Sequence, residues 1–257
     1  METTDLQKQE AFHLQFLRAF VRGPAGQHVV LKGGCNLRFF YGSVRYSEDM
    51  DLDAGDIEVG VLRERVTGIL DSAGLIDTLR TYGIERIVPP NMRVAKQTAT
   101  VQRFKIHLQT STGMDLYSKV EFSRRDLDEP ILTEGVAAAI LAAYRMPPLV
   151  VNHYGTQAAI WQKLRALIGR AQPQARDLFD LYILSSQPEG LSAELWRLPG
   201  ADQNRTRETI MSIDYPEYRD AVIAYLGPDD QHSYDTPRMW DEIRLTVIAR
   251  LEGEVTR

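Results

Sequence analysis

In SEDMDLD, residues 47–53, three aspartates alternate with apolar residues, and a short way upstream VVLKGG, residues 29–34, ends in a double glycine. On a β-strand successive side chains point to opposite faces, so Asp49, Asp51 and Asp53 share one face while Met50 and Leu52 point to the core. Carboxylates crowded on one short face repel one another unless a cation sits among them. Mg2+, or Mn2+, suits such hard oxygen ligands and leaves coordination positions for substrate phosphates. A calcium-binding loop fits poorly: Gly55 is seventh from Asp49 where the loop needs glycine sixth, and Gly60 stands twelfth in place of glutamate.

The glycines offer the complementary chemistry. VVLKGG reads as a strand and CNLRFFYG, residues 35–42, as the short helix that follows it. Glycine has no Cβ, so a polyanion can approach the backbone, and the N–H groups left over at a helix start can bind phosphate oxygens. No Gly-Lys-Ser/Thr follows at the spacing of a Walker A loop. Taken alone, the double glycine reads as a tight strand-to-helix turn.

The elements that must position these groups fall into two halves. From Gln27 to about Phe122, β-rich runs (HVVLKGG, DMDLDA, TVQRFKIHLQT, SKVEF) alternate with helix-like segments such as 59–72, which predicts a sheet flanked by helices. After LVVNHYGTQ at 149–157 the pattern turns mainly helical, through AAIWQKLRALIGR and RDLFDLYILSS to a last helix near 238–252. MPP at 146–148 interrupts the chain, which predicts a first domain at 1–147 and a second at 148–257. At the N-terminus, Phe12, Phe16, Leu17 and Phe20 recur at helical spacing and predict an amphipathic helix packed on the body.

Composition narrows the class. With 257 residues, 44% of them hydrophobic and 25% charged, the chain has enough apolar material for a sizeable globular core. The lone Cys35 excludes an internal disulfide and a cysteine-based zinc cluster, and fits a reducing compartment, with the cytoplasm as the expected location. At a predicted helix start, a Cys35 thiolate would gain from the helix dipole; alternatively the small side chain simply packs under the strand. The five histidines are scattered without metal-ligand spacing, and no Gly-x-Ser-x-Gly elbow accompanies them. Neither a signal peptide nor a membrane span is expected, because the first twenty residues and every later segment lack a long apolar run. A net charge of −5 argues against wholesale nucleic-acid coating. Residues 86–125 nevertheless hold eight basic residues (Arg86, Arg93, Lys96, Arg103, Lys105, Lys119, Arg124, Arg125) against two acids, Asp115 and Glu121. Such a run either faces a phosphate backbone or protects a sheet edge.

The string VVLKGGCNLRFFYGSVRYSEDMDLD resembles the first motif of the AbiEii/AbiGii-type nucleotidyltransferase toxins, a branch of the polymerase-β-like nucleotidyltransferase superfamily. There, a hydrophobic strand ending in two glycines leads into a helix and then a strand carrying Asp-x-Asp. The resemblance implies an α+β fold: a nucleotidyltransferase-type mixed sheet with flanking helices, followed by a mainly helical C-terminal domain that completes the active site. Gly33 and Gly34 match the phosphate-binding glycines, Asp49 and Asp51 the metal-binding pair, and Ser47 the serine of the family's Ser-x-Asp-x-Asp string. Lys32 and Arg45, basic residues within this motif, join them as candidate nucleotide-binding groups. The second Gly-Ser, Gly42-Ser43, and Asp53 rank below. KVEFS at 119–123 resembles the element that carries a third acid, making Glu121 the candidate to hold the metal or accept the proton of the attacking hydroxyl. On a strand Val120 and Phe122 point one way and Glu121 the other; a cross-strand ion pair is the alternative use of that glutamate.

AAIWQKLRALIGRAQPQARDLFDLY, residues 158–182, resembles the family's other signature, a helical lysine followed by Arg-Asp-x-x-Asp-Leu. Lys163 lies beside Ile160, Leu164 and Leu167, so its stem can follow the apolar stripe while the ammonium reaches outward. Asp177 and Asp180 share a helix face, with Arg176 one turn from Asp180. Structural ion pairing is the plainer reading of these charges. By resemblance Lys163 and Asp177 are catalytic, and Arg176 and Asp180 bind nucleotide. The likeness covers roughly residues 28–182 and reaches nothing beyond 190.

Together the two motifs imply a nucleotidyltransferase that moves NMP from an NTP to an acceptor hydroxyl with release of pyrophosphate. By resemblance it is the toxin of a bacterial toxin–antitoxin or abortive-infection pair, working with a separately encoded antitoxin, and the 3′ end of tRNA is the first-choice acceptor. An antibiotic or protein hydroxyl is the alternative acceptor, and a non-catalytic nucleotide-binding module the alternative class.

Overall fold

The first helix, α1 (Asp5–Val21), is set by a capping box: the Thr4 hydroxyl accepts from the Gln7 N–H, and the Gln7 side chain accepts from the Thr4 N–H. Its Phe12, Phe16 and Phe20 are buried, as their spacing predicts, and Phe20 meets Phe122 of the sheet with ring centroids 5.3 Å apart. The computed structural model describes residues 3–92, 95–197 and 203–253. Arg93, one of the basic residues of the 86–125 run, lies outside the described residues.

After α1 come β1 (Val29–Lys32), α2 (Gly33–Phe40), β2 (Asp49–Ala54), α3 (Val59–Leu70), α4 (Ala73–Arg80), β3 (Ile84–Val88), β4 (Val101–Thr110), β5 (Asp115–Arg124), β6 (Ile131–Gly135), α5 (Ala138–Ala143) and β7 (Val150–Tyr154). The remaining helices are α6 (Thr156–Gly169), α7 (Ala175–Ser185), α8 (Gln203–Ser212), α9 (Tyr215–Ala221), α10 (Pro228–Tyr234) and α11 (Pro237–Glu252). The strands form a single mixed sheet in the order β3-β4-β5-β2-β1-β7-β6. β2 lies at its centre, antiparallel to β1 and parallel to β5. The fold is α+β, as expected.

The chain groups into two compact units, Met1–Asn36 with Tyr46–His153, and Leu37–Arg45 with Tyr154–Arg257. This division differs from a single cut at 147 for two reasons. β7 follows the MPP break and still joins the sheet, pairing parallel with β1 through Leu31 and His153. Residues 37–45 group with the helices, their Leu37 buried in the core of that unit with Phe179, Trp196, Tyr218 and Trp240. Tyr218 and Trp240 stack there at 4.5 Å. The helix-like segment expected over 59–72 is α3, which ends at Leu70, and Asp71-Ser72 lead into α4. β6 escapes a hydrophobic pattern because all five of its residues are exposed. No helix among the described residues is long and apolar enough to cross a membrane.

Candidate functional site

β2 alternates as its sequence requires: Met50 and Leu52 are fully buried, and Asp49 and Asp51 stand partly exposed on the other face. The parallel register sets Asp49 opposite Lys119, Asp51 opposite Glu121 and Asp53 opposite Ser123, so the candidate acids of β2 and β5 share that face. Val120 and Phe122 are buried behind it. Burial, with the negative charges of Asp49 and Glu121, pushes the Asp51 carboxyl above the usual carboxylate range, against the opposing pull of Lys119 and Lys32. The Lys119 ammonium lies 3.1 Å from Asp49 Oδ2. Glu121 is ion-paired with Arg103 across the β4–β5 ladder, so the ion pair and the shared acidic face occur together.

The glycine turn and the aspartates meet. β1 passes into α2 with no intervening residue, which Gly33 permits by adopting φ +69°. A Cβ at Gly33 would stand 3.1 Å from Asp51 Oδ2. The backbone at the start of α2 therefore runs directly beside the Asp51 carboxylate, with Gly34 next along the helix. Gly33→Ala is expected to cost about 1–2 kcal/mol, from the left-handed backbone of an L-residue, and to lower kcat roughly 10- to 100-fold by displacing Asp51. Thermal melting and steady-state kinetics measure the two effects separately.

Around this centre the other predicted residues have definite partners. Lys32 is ion-paired with the fully buried Asp53 and donates to Ser123 Oγ at 3.0 Å. Arg125 Nε reaches the same Asp53 at 3.2 Å. Asp53 is thus a buried anchor for Lys32, a role its position in the sequence did not reveal. Ser47 donates its hydroxyl to the Asp49 carbonyl at 2.8 Å, and Cys35 Sγ donates to that carbonyl at 3.4 Å. Burial, then the charges of Asp51 and Glu10, raise the Cys35 thiol, so it stays protonated and the small-side-chain reading holds over the thiolate. Behind the strand, His13 Nε2 lies 2.8 Å from Ser118 Oγ, whose hydroxyl donates to the Glu48 carbonyl at 2.6 Å. Desolvation lowers the His13 pKa to about 3 despite the Glu48 backbone bond, so the ring is neutral. No local pattern marks His13 among the scattered histidines, because its partner lies 105 positions away along the chain.

In the helical unit Lys163, Asp177 and Asp180 come together. The Lys163 ammonium lies 3.1 Å from Asp177 Oδ1 and 2.6 Å from Asp180 Oδ2, which confirms that the two aspartates share a face. Arg45 Nη2 donates to both Asp180 oxygens at 3.0 Å, and Arg170 pairs with Asp177. Burial alone would raise the Asp180 carboxyl, but Arg45 and Lys163 outweigh it and hold the group below the usual range. Lys163, which burial would lower, is raised by Asp180 and Asp177. Arg176 does not pair with Asp180 as its spacing suggested; its Nε donates to Gln174 Oε1 at 2.8 Å. The arginine that pairs with Asp180 is Arg45, 135 positions upstream.

Among the described residues no three or more His, Cys, Asp or Glu side chains are placed to hold a metal ion by themselves. The pair Asp49 and Asp51 nevertheless fits Mg2+, which is bound through one or two carboxylates and completed by substrate phosphates and water. The hard carboxylate donors, their mutual repulsion and the close approach of the Gly33 backbone to Asp51 all suit it.

The family model "Nucleotidyl transferase AbiEii toxin, Type IV TA system" matches residues 15–240. Among solved structures, JHP933 from Helicobacter pylori superposes with a TM-score of 0.60 at 18% identity, over 99% of this chain and 95% of that one. MenT4, a nucleotidyltransferase toxin from Mycobacterium tuberculosis H37Rv, gives 0.59 at 19% identity, over 95% of this chain and 85% of that one. At these identities the structures establish a shared fold. No curated protein matches the chain.

Proposed function

Because the chain belongs to the AbiEii family of nucleotidyltransferase toxins of type IV toxin–antitoxin systems, we propose that it transfers NMP from an NTP to the 3′ end of an RNA, with tRNA as the first choice, in a reaction that depends on a divalent metal. The observation that carries this reading is the approach of the Gly33 backbone to Asp51 on the face that also presents Asp49. Asp49 and Asp51 would hold Mg2+ or Mn2+, with Glu121 facing Asp51 from β5 as the base. When bound, the ion neutralises charge on the phosphates and activates the attacking hydroxyl.

The chain's own groups do the rest. The Gly33 and Gly34 amides receive phosphate oxygens at the start of α2. Lys32, steadied by Asp53 and Ser123, adds positive charge beside them. Ser47 fixes the Asp49 backbone and so the direction of its carboxylate. Glu121, oriented by Arg103, accepts the proton of the attacking hydroxyl. The acceptor oxygen bonds to the α-phosphorus as the bond to the β-phosphate oxygen breaks, and pyrophosphate leaves. Such a reaction is driven by positioning and charge neutralisation, for which carboxylates, glycine amides and lysines are the appropriate groups. For the helical unit we assign Lys163 and Asp177 to catalysis and Arg176 and Asp180 to the handling of nucleotide on the strength of the second motif, with Arg45 of the first motif string joining Asp180. A cognate antitoxin is the implied protein partner, and the reading puts the protein in the cytoplasm, where NTP and tRNA are found.

Purified protein incubated with each labelled NTP, total RNA and Mg2+ tests the proposal. Label is expected to migrate with tRNA and to be lost on chelation. Label found only on protein or on an antibiotic would overturn the RNA acceptor, and transfer that survives chelation would overturn the metal.

A further inference from the structure

A cleft of about 540 Å3 opens over β4 and β5, next to Asp49, with Pro89, Lys105, His107, Tyr117 and Lys119 in its walls. Tyr117 is 65% exposed, the most open large apolar side chain among the described residues. It is also held in place. Its ring stacks on His107 at 4.9 Å and 22°, His107 Nε2 is 2.7 Å from Asp115 Oδ1, and Gln9 donates to the Tyr117 carbonyl at 2.8 Å. An exposed aromatic ring backed by a second ring is a platform on which a third flat ring can stack.

The charges beside the platform point to the same kind of ligand. Lys105 and Lys119 face each other across the β4–β5 ladder, an arrangement that costs stability unless an anion lies between or near them. Lys119 is engaged by Asp49, whereas no acidic side chain among the described residues pairs with Lys105. His107 and Tyr117 are the next partner pair on this face, one step along the ladder. A stacking surface, a cation awaiting an anion and a candidate metal ligand thus line one cleft. A nucleobase followed by a phosphate has the chemistry to fill it.

We propose that this cleft is the acceptor subsite, in which an unpaired base near the end of a single-stranded RNA stacks on Tyr117 and the adjoining phosphate pairs with Lys105. The inference rests on the RNA acceptor proposed above. Inside a duplex both faces of a base are covered by its stacked neighbours, so the subsite selects unpaired, unstacked bases over those within a duplex.

The test is binding of a fluorescein-labelled single-stranded RNA, followed by anisotropy in EDTA without NTP, so that the readout is independent of catalysis. Tyr117→Ala is expected to weaken binding roughly 10-fold or more and Tyr117→Phe to restore it, since stacking needs the ring and not the hydroxyl. Lys105→Gln is expected to lower the slope of log affinity against log salt by about one, the mark of one lost phosphate contact. Both side chains are exposed, and a thermal melt verifies that the variants fold. If Tyr117→Ala and Lys105→Gln bind and extend RNA as the unaltered protein does, the subsite is wrong while the RNA acceptor stands. If the substitutions weaken NTP affinity and leave RNA affinity intact, the platform holds the donor base and the proposal fails. If the unaltered protein labels only protein, the acceptor reading itself falls, and the subsite with it.

Discussion

Asp51→Asn is expected to reduce nucleotidyl transfer by roughly 10^3-fold or more, the scale on which removal of a charge-stabilising group at a reacting phosphate acts. The loss falls on kcat, because the carboxylate matters most as charge develops in the transition state. The same substitution is expected to raise the melting temperature of the metal-free protein. Asp51 is held among Asp49 and Glu121 in a desolvated place that disfavours its charge, and asparagine removes that charge at nearly constant volume. Mg2+ should raise the melting temperature of the unaltered protein by binding only the folded state, and leave the Asn variant unmoved. A variant that transfers nucleotide normally, or melts higher with Mg2+ as the unaltered protein does, would remove Asp51 from the proposed centre.

The second large effect belongs to the helical unit. Asp180→Ala is expected to destabilise it by about 3–5 kcal/mol, because Arg45 and Lys163 would be left as buried charges without their shared carboxylate. Urea unfolding followed by tryptophan fluorescence reads this directly, since Trp196 and Trp240 lie in the core of the same unit. The pH dependence follows from the two shifts. Asp180 is depressed in the fold, so its contribution is present above the unfolded aspartate pKa and is lost as pH falls through the folded value. Lys163 is raised, so its contribution is complete below the unfolded value of 10.5 and is lost as pH rises through the folded one. Stability should therefore hold through neutrality and decline at both extremes, and Asp180→Ala should flatten both arms. A midpoint unchanged by the substitution would mean that the buried pairs are energetically idle.

What the sequence determined by itself was whatever repeats along a short stretch of chain. The period of two in DMDLDA placed Asp49 and Asp51 on one face and buried Met50 and Leu52. Glycine at 33 and 34 marked the turn from β1 into α2, and helical spacing placed Asp177 and Asp180 together. These are consequences of local backbone geometry, and the two motifs that carry the family likeness are built from them.

The tertiary structure decided which distant groups meet. Only strand pairing could put Glu121 opposite Asp51 and also hand it to Arg103, or bring β7 beside β1 beyond the Pro-Pro break. Only the fold could give Asp180 to Arg45 in place of its helical neighbour Arg176, and give Asp53 to Lys32 as a buried anchor. Sequence spacing records which residues share a face. It does not record which faces oppose, because burial of an ion pair and the register of a sheet are set by contacts between segments far apart along the chain.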